Sequence, residues 1–269
     1  MNYAGALRGV AREAALRITN RGYRHHQAEL ARLRALPRYQ PAVTDLIGIS
    51  LEIVDASSFL GMYHEIYQQQ VYRFRARTEE PFIIDGGSNI GLSILYFKEL
   101  YPRSEIVAFE PDGKIFALLE RNIQRSGYRN IKLLRQALWS AQTTLGFISE
   151  GSWAGRLART GDHPGHVVPT ARLRDHLNRP VDFLKLDIEG AETEVLADCA
   201  DLLGSVANLF VEYHSFSDEP QSIHTLLSVV RGAGFRVHVR ASSGFPQPLV
   251  TRNLALGMDN QVCVYGFRC

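Results

Sequence analysis

The sequence predicts an α/β protein: a doubly wound, mostly parallel seven-stranded sheet with an N-terminal helical extension. Two observations carry this. From Pro81 onward, short apolar runs alternate with segments of helical period. The first two runs end in acids, Asp85 and Glu110, where a parallel sheet would open its crevice. With 269 residues, 45% hydrophobic and 22% charged, the chain can bury a substantial core, which excludes disordered and collagen-like classes.

The elements follow in order. Residues 4–36 read as helix, broken near Asn20-Arg21-Gly22 and ended by Pro37 and Pro41. A short irregular region leads to a strand over 49–55 and a helix over 59–74. These first 80 residues read as a helical extension or cap, and 81–269 as the sheet domain. FIID (82–85) is a strand apolar on both faces, followed by a Gly-rich turn and a helix with Ile90, Ile94 and Phe97 in one stripe. EIVAFE (105–110) is the second strand. The helix over 114–127 sets Ile115, Phe116, Leu119 and Ile123 against Glu120, Arg121, Gln124 and Arg125. The third strand with its exit is 131–139, and 140–170 is an excursion of extended segments. Strands over 181–189 and 208–214 follow, each leading to a helix. Segments 235–240 and 261–267 close the sheet.

Charge is unevenly placed. Residues 1–40 hold eight arginines and two glutamates, a net of +6 in a chain of +2. Such a basic helix packs on the body or on a sister subunit through its Leu and Ala face, or touches an acidic surface. A homodimer through the N-terminal helices is the oligomer this suggests. No run reaches the ~18 apolar residues of a membrane span, and residues 1–17 lack the apolar core of a secretion signal. Cys199, Cys263 and Cys269 match no disulfide or zinc spacing, which suits a reducing cytoplasm.

The first strand runs into Asp85-Gly86-Gly87-Ser88-Asn89-Ile90-Gly91. The spacing is neither G-x-G-x-x-G nor G-x-x-x-x-G-K-[ST]. A carboxylate at the strand tip would repel a pyrophosphate but suits a ligand with an ammonium and a sulfonium, which favours S-adenosylmethionine over a nicotinamide dinucleotide. Glu110 stands where an acid typically accepts hydrogen bonds from ribose hydroxyls. The structural alternative is that both acids only cap the helices after them.

IIDGGSNIG, VAFEPDGKIFALLERN, VPTARLRDHL, DFLKLDIEGAETEVL and NLFVEYH follow one another in order. Together they resemble the FkbM family of S-adenosylmethionine-dependent methyltransferases over roughly residues 82–240. The resemblance implies a class I methyltransferase (Rossmann-like) fold and O-methylation of a hydroxyl on a sugar, glycan or glycosylated metabolite. It places Asp85, Gly86, Gly87, Ser88, Asn89 and Gly91 at the methionine end of the cofactor, and Glu110 and Pro111 at the ribose. The adenine is expected at Gln136, Ala137 and Leu138, with Asp187 on the side of the transferred methyl.

The acceptor side is expected at the ends of the fourth and fifth strands, where Lys185, Asp187, Glu189, Glu192, Glu212 and His214 converge. Two mechanisms stand open. In one, Asp187, Glu189 and Glu212, with His214, hold Mg²⁺ or Mn²⁺ that orients and acidifies a hydroxyl. In the other no metal takes part: Lys185 pairs with a carboxylate, and His214 or Asp187 is the general base. Glu189 and Glu192 would otherwise cap the helix after Gly190. His25, His26, His163 and His166 read as surface histidines, and Trp139 and Trp153 as core. The acidic body and the absence of N-P-P-[YF] disfavour nucleic acid. Alternatives to sugar O-methylation are a non-catalytic scaffold that keeps the fold, or a methyltransferase with a non-sugar small-molecule acceptor.

Overall fold

The computed structural model describes residues 21–149, 155–159, 162–243, 247, 249–250 and 257–268. The first part of the expected 4–36 helix, Trp153 and Cys269 lie outside them. Helix α1 (Arg21–Arg34) buries Leu30 and Leu33. Its Leu face therefore packs on the body. Strands β1 (Ala42–Thr44) and β2 (Leu51–Ile53) pair antiparallel, Ala42 opposite Ile53. The first of these falls in the stretch expected to be irregular, because three residues are too few to display alternation. Helix α2 (Ala56–Tyr63) is N-capped by Asp55, whose carboxylate accepts from Ser58 N. It runs on through a single π turn, His64–Gln68, and Gln70 leaves the helical region at φ 56°. The helix expected over 59–74 thus stops at Gln68.

The apolar runs after Pro81 form strands β3 (Phe82–Gly86), β4 (Glu105–Phe109) and β5 (Ile131–Leu134). Helices α3 (Leu92–Leu100) and α4 (Gly113–Ser126) connect them. The third expected strand, 131–139, divides. Its second half is β6 (Ala137–Trp139), which joins β7 (Thr144–Ser149), β8 (Gly155–Leu157) and β9 (His166–Arg172) in a separate four-stranded sheet of order β6-β9-β7-β8. Strands β10 (Val181–Leu186) and β11 (Val206–Phe216) follow, each leading to a helix, α5 (Glu192–Asp198) and α6 (Ile223–Gly232). Strands β12 (Arg236–Ser243) and β13 (Met258–Phe267) come last.

The large sheet has seven strands in the order β12-β13-β11-β10-β3-β4-β5. Only β13 runs against its neighbours. The chain winds outward from β3 through β4 to β5, then returns to β10 on the other side of β3. The switch point between β3 and β10 fixes where a crevice opens, beyond Gly86 and Leu186.

Each face of the sheet carries its own apolar layer. One contains Ile94, Phe97, Leu119 and Ile123 together with Leu33, Ile53 and Phe59, so the N-terminal segment shares the core of α3 and α4. The other contains Val195, Leu196, Leu226 and Val230 from α5 and α6. Asn122, fully buried on α4, joins the N-terminal ribbon to this frame. Its side chain accepts from Glu52 N and donates to the carbonyls of Glu52 and Ile90. Arg121 and Arg125, expected on the solvent face, both pair with Glu52. Among the described residues no helix is long and apolar enough to cross a membrane.

Candidate active site

The loop after β3 closes against two neighbouring strands. Gly87 N and Ser88 N both donate to Phe109 O, and Asp187 N donates to Gly86 O. Gly87 adopts φ 80°, and a β-carbon there would lie 1.8 Å from Asp187 O. The missing side chain thus makes room for the adjacent strand end rather than for a ligand. Gly91 likewise spares a contact with Leu119 Cδ1.

Asp85 is fully buried behind this loop. Its Oδ2 accepts from Ser93 Oγ at 2.5 Å, and its Oδ1 lies 3.2 Å from Lys185 Nζ. Lys185 also donates to Gly86 O and Gly87 O, and lies 3.5 Å from Asp187 Oδ2. Burial opposes the ammonium charge, yet Asp85 and Asp187 outweigh it and hold the lysine pKa above its ordinary value. Where the sequence led to a cationic ligand beside Asp85, the structure sets Lys185 against it. Lys185, expected to take part in catalysis, lines the cavity and holds the carbonyls of the loop.

Glu110 follows β4 and accepts from Asn89 N at 3.0 Å and Asp112 N at 2.9 Å. Burial raises its carboxyl to about 7 despite these two donors. A carboxyl whose folded pKa exceeds its unfolded one favours the folded state at low pH, and that advantage is lost as pH rises through 7. A ligand whose hydroxyls donate to the carboxylate selects the ionised form. Affinity for a ligand bound in this way is accordingly expected to weaken by up to about tenfold per pH unit below 7. Isothermal titration between pH 8 and 6 checks this, with Glu110→Gln expected to flatten the profile.

At the other end of the crevice, His214 on β11 is 4% exposed. Its Nδ1 lies 3.0 Å from Glu192 Oε1, a carboxylate locked by the amides of Ile188 and Gly190. Its Nε2 lies 3.7 Å from Glu189 Oε2 and 4.0 Å from Asp187 Oδ1. Burial disfavours the imidazolium, but Glu189 and Glu192 outweigh this and hold the His214 pKa well above the usual histidine value. Glu212, on the same strand, accepts from Gln261 Nε2 and Ser242 Oγ. Burial, reinforced by the charge of Asp187, raises its carboxyl to about 7.

The atoms through which Asp187, Glu212 and His214 could ligate all lie within 4.8 Å of one another. Glu189, expected beside them as a ligand, is not in that group. The strand has ended at Leu186, and the backbone turns left-handed at Glu189 and Gly190, φ 55° and 106°.

These residues surround one cavity of about 370 Å³, within the range of small-molecule sites. Gly87, Ser88, Asn89, Glu110 and Pro111 line one end with Gln136, Ala137 and Leu138. Glu189, Glu212 and His214 line another part, with Lys185 and Asp187 beside Gly87 between the two. Asp85, Gly86 and Gly91 do not line it. Sequence reasoning missed the roof, Met62, Glu65, Ile66 and Tyr72 from the N-terminal segment, and Ser242, Met258 and Gln261 beside β11. The only signal for the former was an acid set among aromatics in YHEIY. His163 and His166 are exposed, and His25 pairs with Asp45 at the surface.

Residues 85–237 match the model of the FkbM methyltransferase domain. The chain belongs to the FkbM methyltransferase family. This FkbM domain is an S-adenosylmethionine-dependent methyltransferase. Methyltransferase sdnD of Sordaria araneosa is 29% identical over 173 residues, covering 50% of this chain and 66% of that protein. Methyltransferase 1 of Beauveria bassiana is 26% identical over 215 residues, 70% of this chain and 85% of that protein. The 2-O-methyltransferase NoeI of Sinorhizobium fredii is 23% identical over 156 residues, 50% and 63% respectively. The crystal structure of the FkbM methyltransferase of Methylobacillus flagellatus KT has the same fold. Its TM-score is 0.50 at 14% identity, over 92% of this chain and 59% of that one. The FkbM chain thus spans just under two thirds of sdnD and NoeI.

Proposed function

We propose that this FkbM protein transfers the methyl group of S-adenosylmethionine to a hydroxyl of a sugar, glycan or glycosylated metabolite, with His214 as general base. The observation that carries the reading is the Glu192–His214 pair: a buried carboxylate fixes Nδ1 of an imidazole that lines the cavity, with Gln261 Nε2 3.3 Å from its Nε2. Among the relatives, the name of NoeI specifies O-methylation.

The lining suits the methyl donor. Glu110 offers a carboxylate to ribose hydroxyls, and the acid-rich wall complements a ligand bearing a sulfonium and an ammonium. When bound, that group supplies an already activated methyl and a neutral leaving sulfur. The chain itself supplies alignment and proton uptake. The loop 86–89 and the end of β10 hold donor and acceptor in one cleft. The neutral form of His214, populated as pH rises towards its raised pKa, accepts the hydroxyl proton at Nε2 as the oxygen bonds to the methyl carbon. Glu192 and Glu189 then stabilise the imidazolium.

Mass spectrometry for the gain of one methyl group across candidate hydroxyl compounds tests this reading. A protein that does not bind S-adenosylmethionine in isothermal titration would instead be a scaffold.

A second reading rests on the proximity of Asp187, Glu212 and His214, which would hold Mg²⁺ or Mn²⁺ to acidify the hydroxyl. Lys185 already neutralises Asp187 at 3.5 Å, which favours the metal-free route. Full turnover is expected to persist in EDTA. Loss on chelation with recovery on adding Mn²⁺ selects the metal.

A further inference from the structure

The acceptor end of the cavity is roofed by residues to which nothing above gives a role. Glu65 lies in the π turn His64–Gln68 and lines the cavity. Such turns insert one residue into a helix and recur at functional positions. The Glu65 carboxylate is half-buried and accepts no hydrogen bond among the described residues, though the charge of Asp187 bears on it. Tyr72 also lines the cavity and is 4% exposed. Its ring packs edge-on against Phe210, and its centroid lies 5.7 Å from Lys185 Nζ. The Tyr72 hydroxyl has no hydrogen-bond partner among the described residues. Since Tyr72 lines the cavity, its hydroxyl is available to a ligand there.

The charge of the wall points to the kind of ligand. Among the described lining residues, Glu65, Glu110, Asp112, Asp187, Glu189 and Glu212 are acidic, against the cations of Lys185 and His214; the charge of Arg240 also bears on Glu65. Lys185 and His214 already touch carboxylates. An anionic group on the acceptor would meet a wall with more acids than bases, whereas hydroxyl or ammonium groups would donate to it.

We propose that Glu65 and Tyr72 are the acceptor-recognition residues of this methyltransferase, and that they select a hydroxyl compound whose recognised part is neutral or amine-bearing and carries no anionic group. This rests on the methyltransferase reading. Glu65 accepts a hydrogen bond from an acceptor hydroxyl or ammonium, and the Tyr72 hydroxyl bonds a neighbouring oxygen.

The test is isothermal titration of the full chain loaded with S-adenosylhomocysteine, using four probes on one scaffold. They are methyl glucoside, glucosamine, glucuronate and glucose 6-phosphate. The first two are expected to bind at least about tenfold tighter than the anionic pair. Glu65→Lys should reverse that order, and Tyr72→Phe should weaken methyl glucoside about fivefold. Both variants should hold S-adenosylhomocysteine as tightly as the parent, which shows that they fold. The proposal is overturned if the anionic probes bind as well as the neutral one, if Glu65→Lys leaves the order unchanged, or if loaded protein binds none of the four. A parent protein that does not bind S-adenosylhomocysteine overturns the methyltransferase reading as well.

Discussion

His214→Ala is expected to lower kcat by roughly 10²–10⁴-fold while S-adenosylmethionine still binds. The imidazole is almost wholly buried, its Nδ1 fixed by Glu192, and it lines the cavity. Few other groups at that end can accept a proton as well. Asp187 is tied to Lys185, and Glu212 already accepts from Gln261 and Ser242. The cofactor-side wall, with Glu110 and Asn89, is untouched by the change. Its affinity should therefore move by less than about twofold. Free imidazole added to the variant should restore part of the rate by filling the space left. Glu192→Gln, which keeps the shape and removes the charge that orients the ring, should reduce turnover in the same direction but less. A His214→Ala enzyme as fast as the parent would remove the base from the mechanism.

Lys185→Met is expected to destabilise the fold by about 3–5 kcal/mol. The ammonium is 2% exposed and serves Asp85, Asp187 and the carbonyls of Gly86 and Gly87. Methionine fills similar volume, so the loss is electrostatic: Asp85 is left charged and fully buried with only Ser93 as donor. Thermal unfolding should fall on the order of 10 °C. Adding Asp85→Asn should recover part of it, because the orphaned charge leaves with its partner. A change below about 1 kcal/mol would mean the pair behaves like a surface ion pair.

The sheet was legible because its strands are short apolar runs bounded by Gly and acids, and helix α4 because Ile115, Leu119 and Ile123 keep a helical period. Of the residues expected at the cofactor, Glu110 and Gly87 to Asn89 line the cavity. Asp85 was legible as an acid at a strand tip, but its burial behind the loop was not. Its partner Lys185 lies a hundred residues on, and strand register is not visible in a single sequence. The division of 131–139 escaped notice because β5 and β6 have the same apolar character, and only pairing with β9 separates them. Glu65 and Tyr72 were missed for the opposite reason. In an aromatic-rich helix, period alone does not distinguish a residue facing a cavity from one facing the core.

The interlock at Gly87 has a consequence for how this enzyme could be altered. Because Asp187 O sits where a β-carbon of Gly87 would be, and Asp187 N donates to Gly86 O, donor loop and acceptor floor behave as a single welded piece. The roof over 62–72 arrives from elsewhere in the chain. On the proposed acceptor reading, exchange of a few side chains there is expected to change which acceptor binds while the Gly87–Asp187 contact stays as it is.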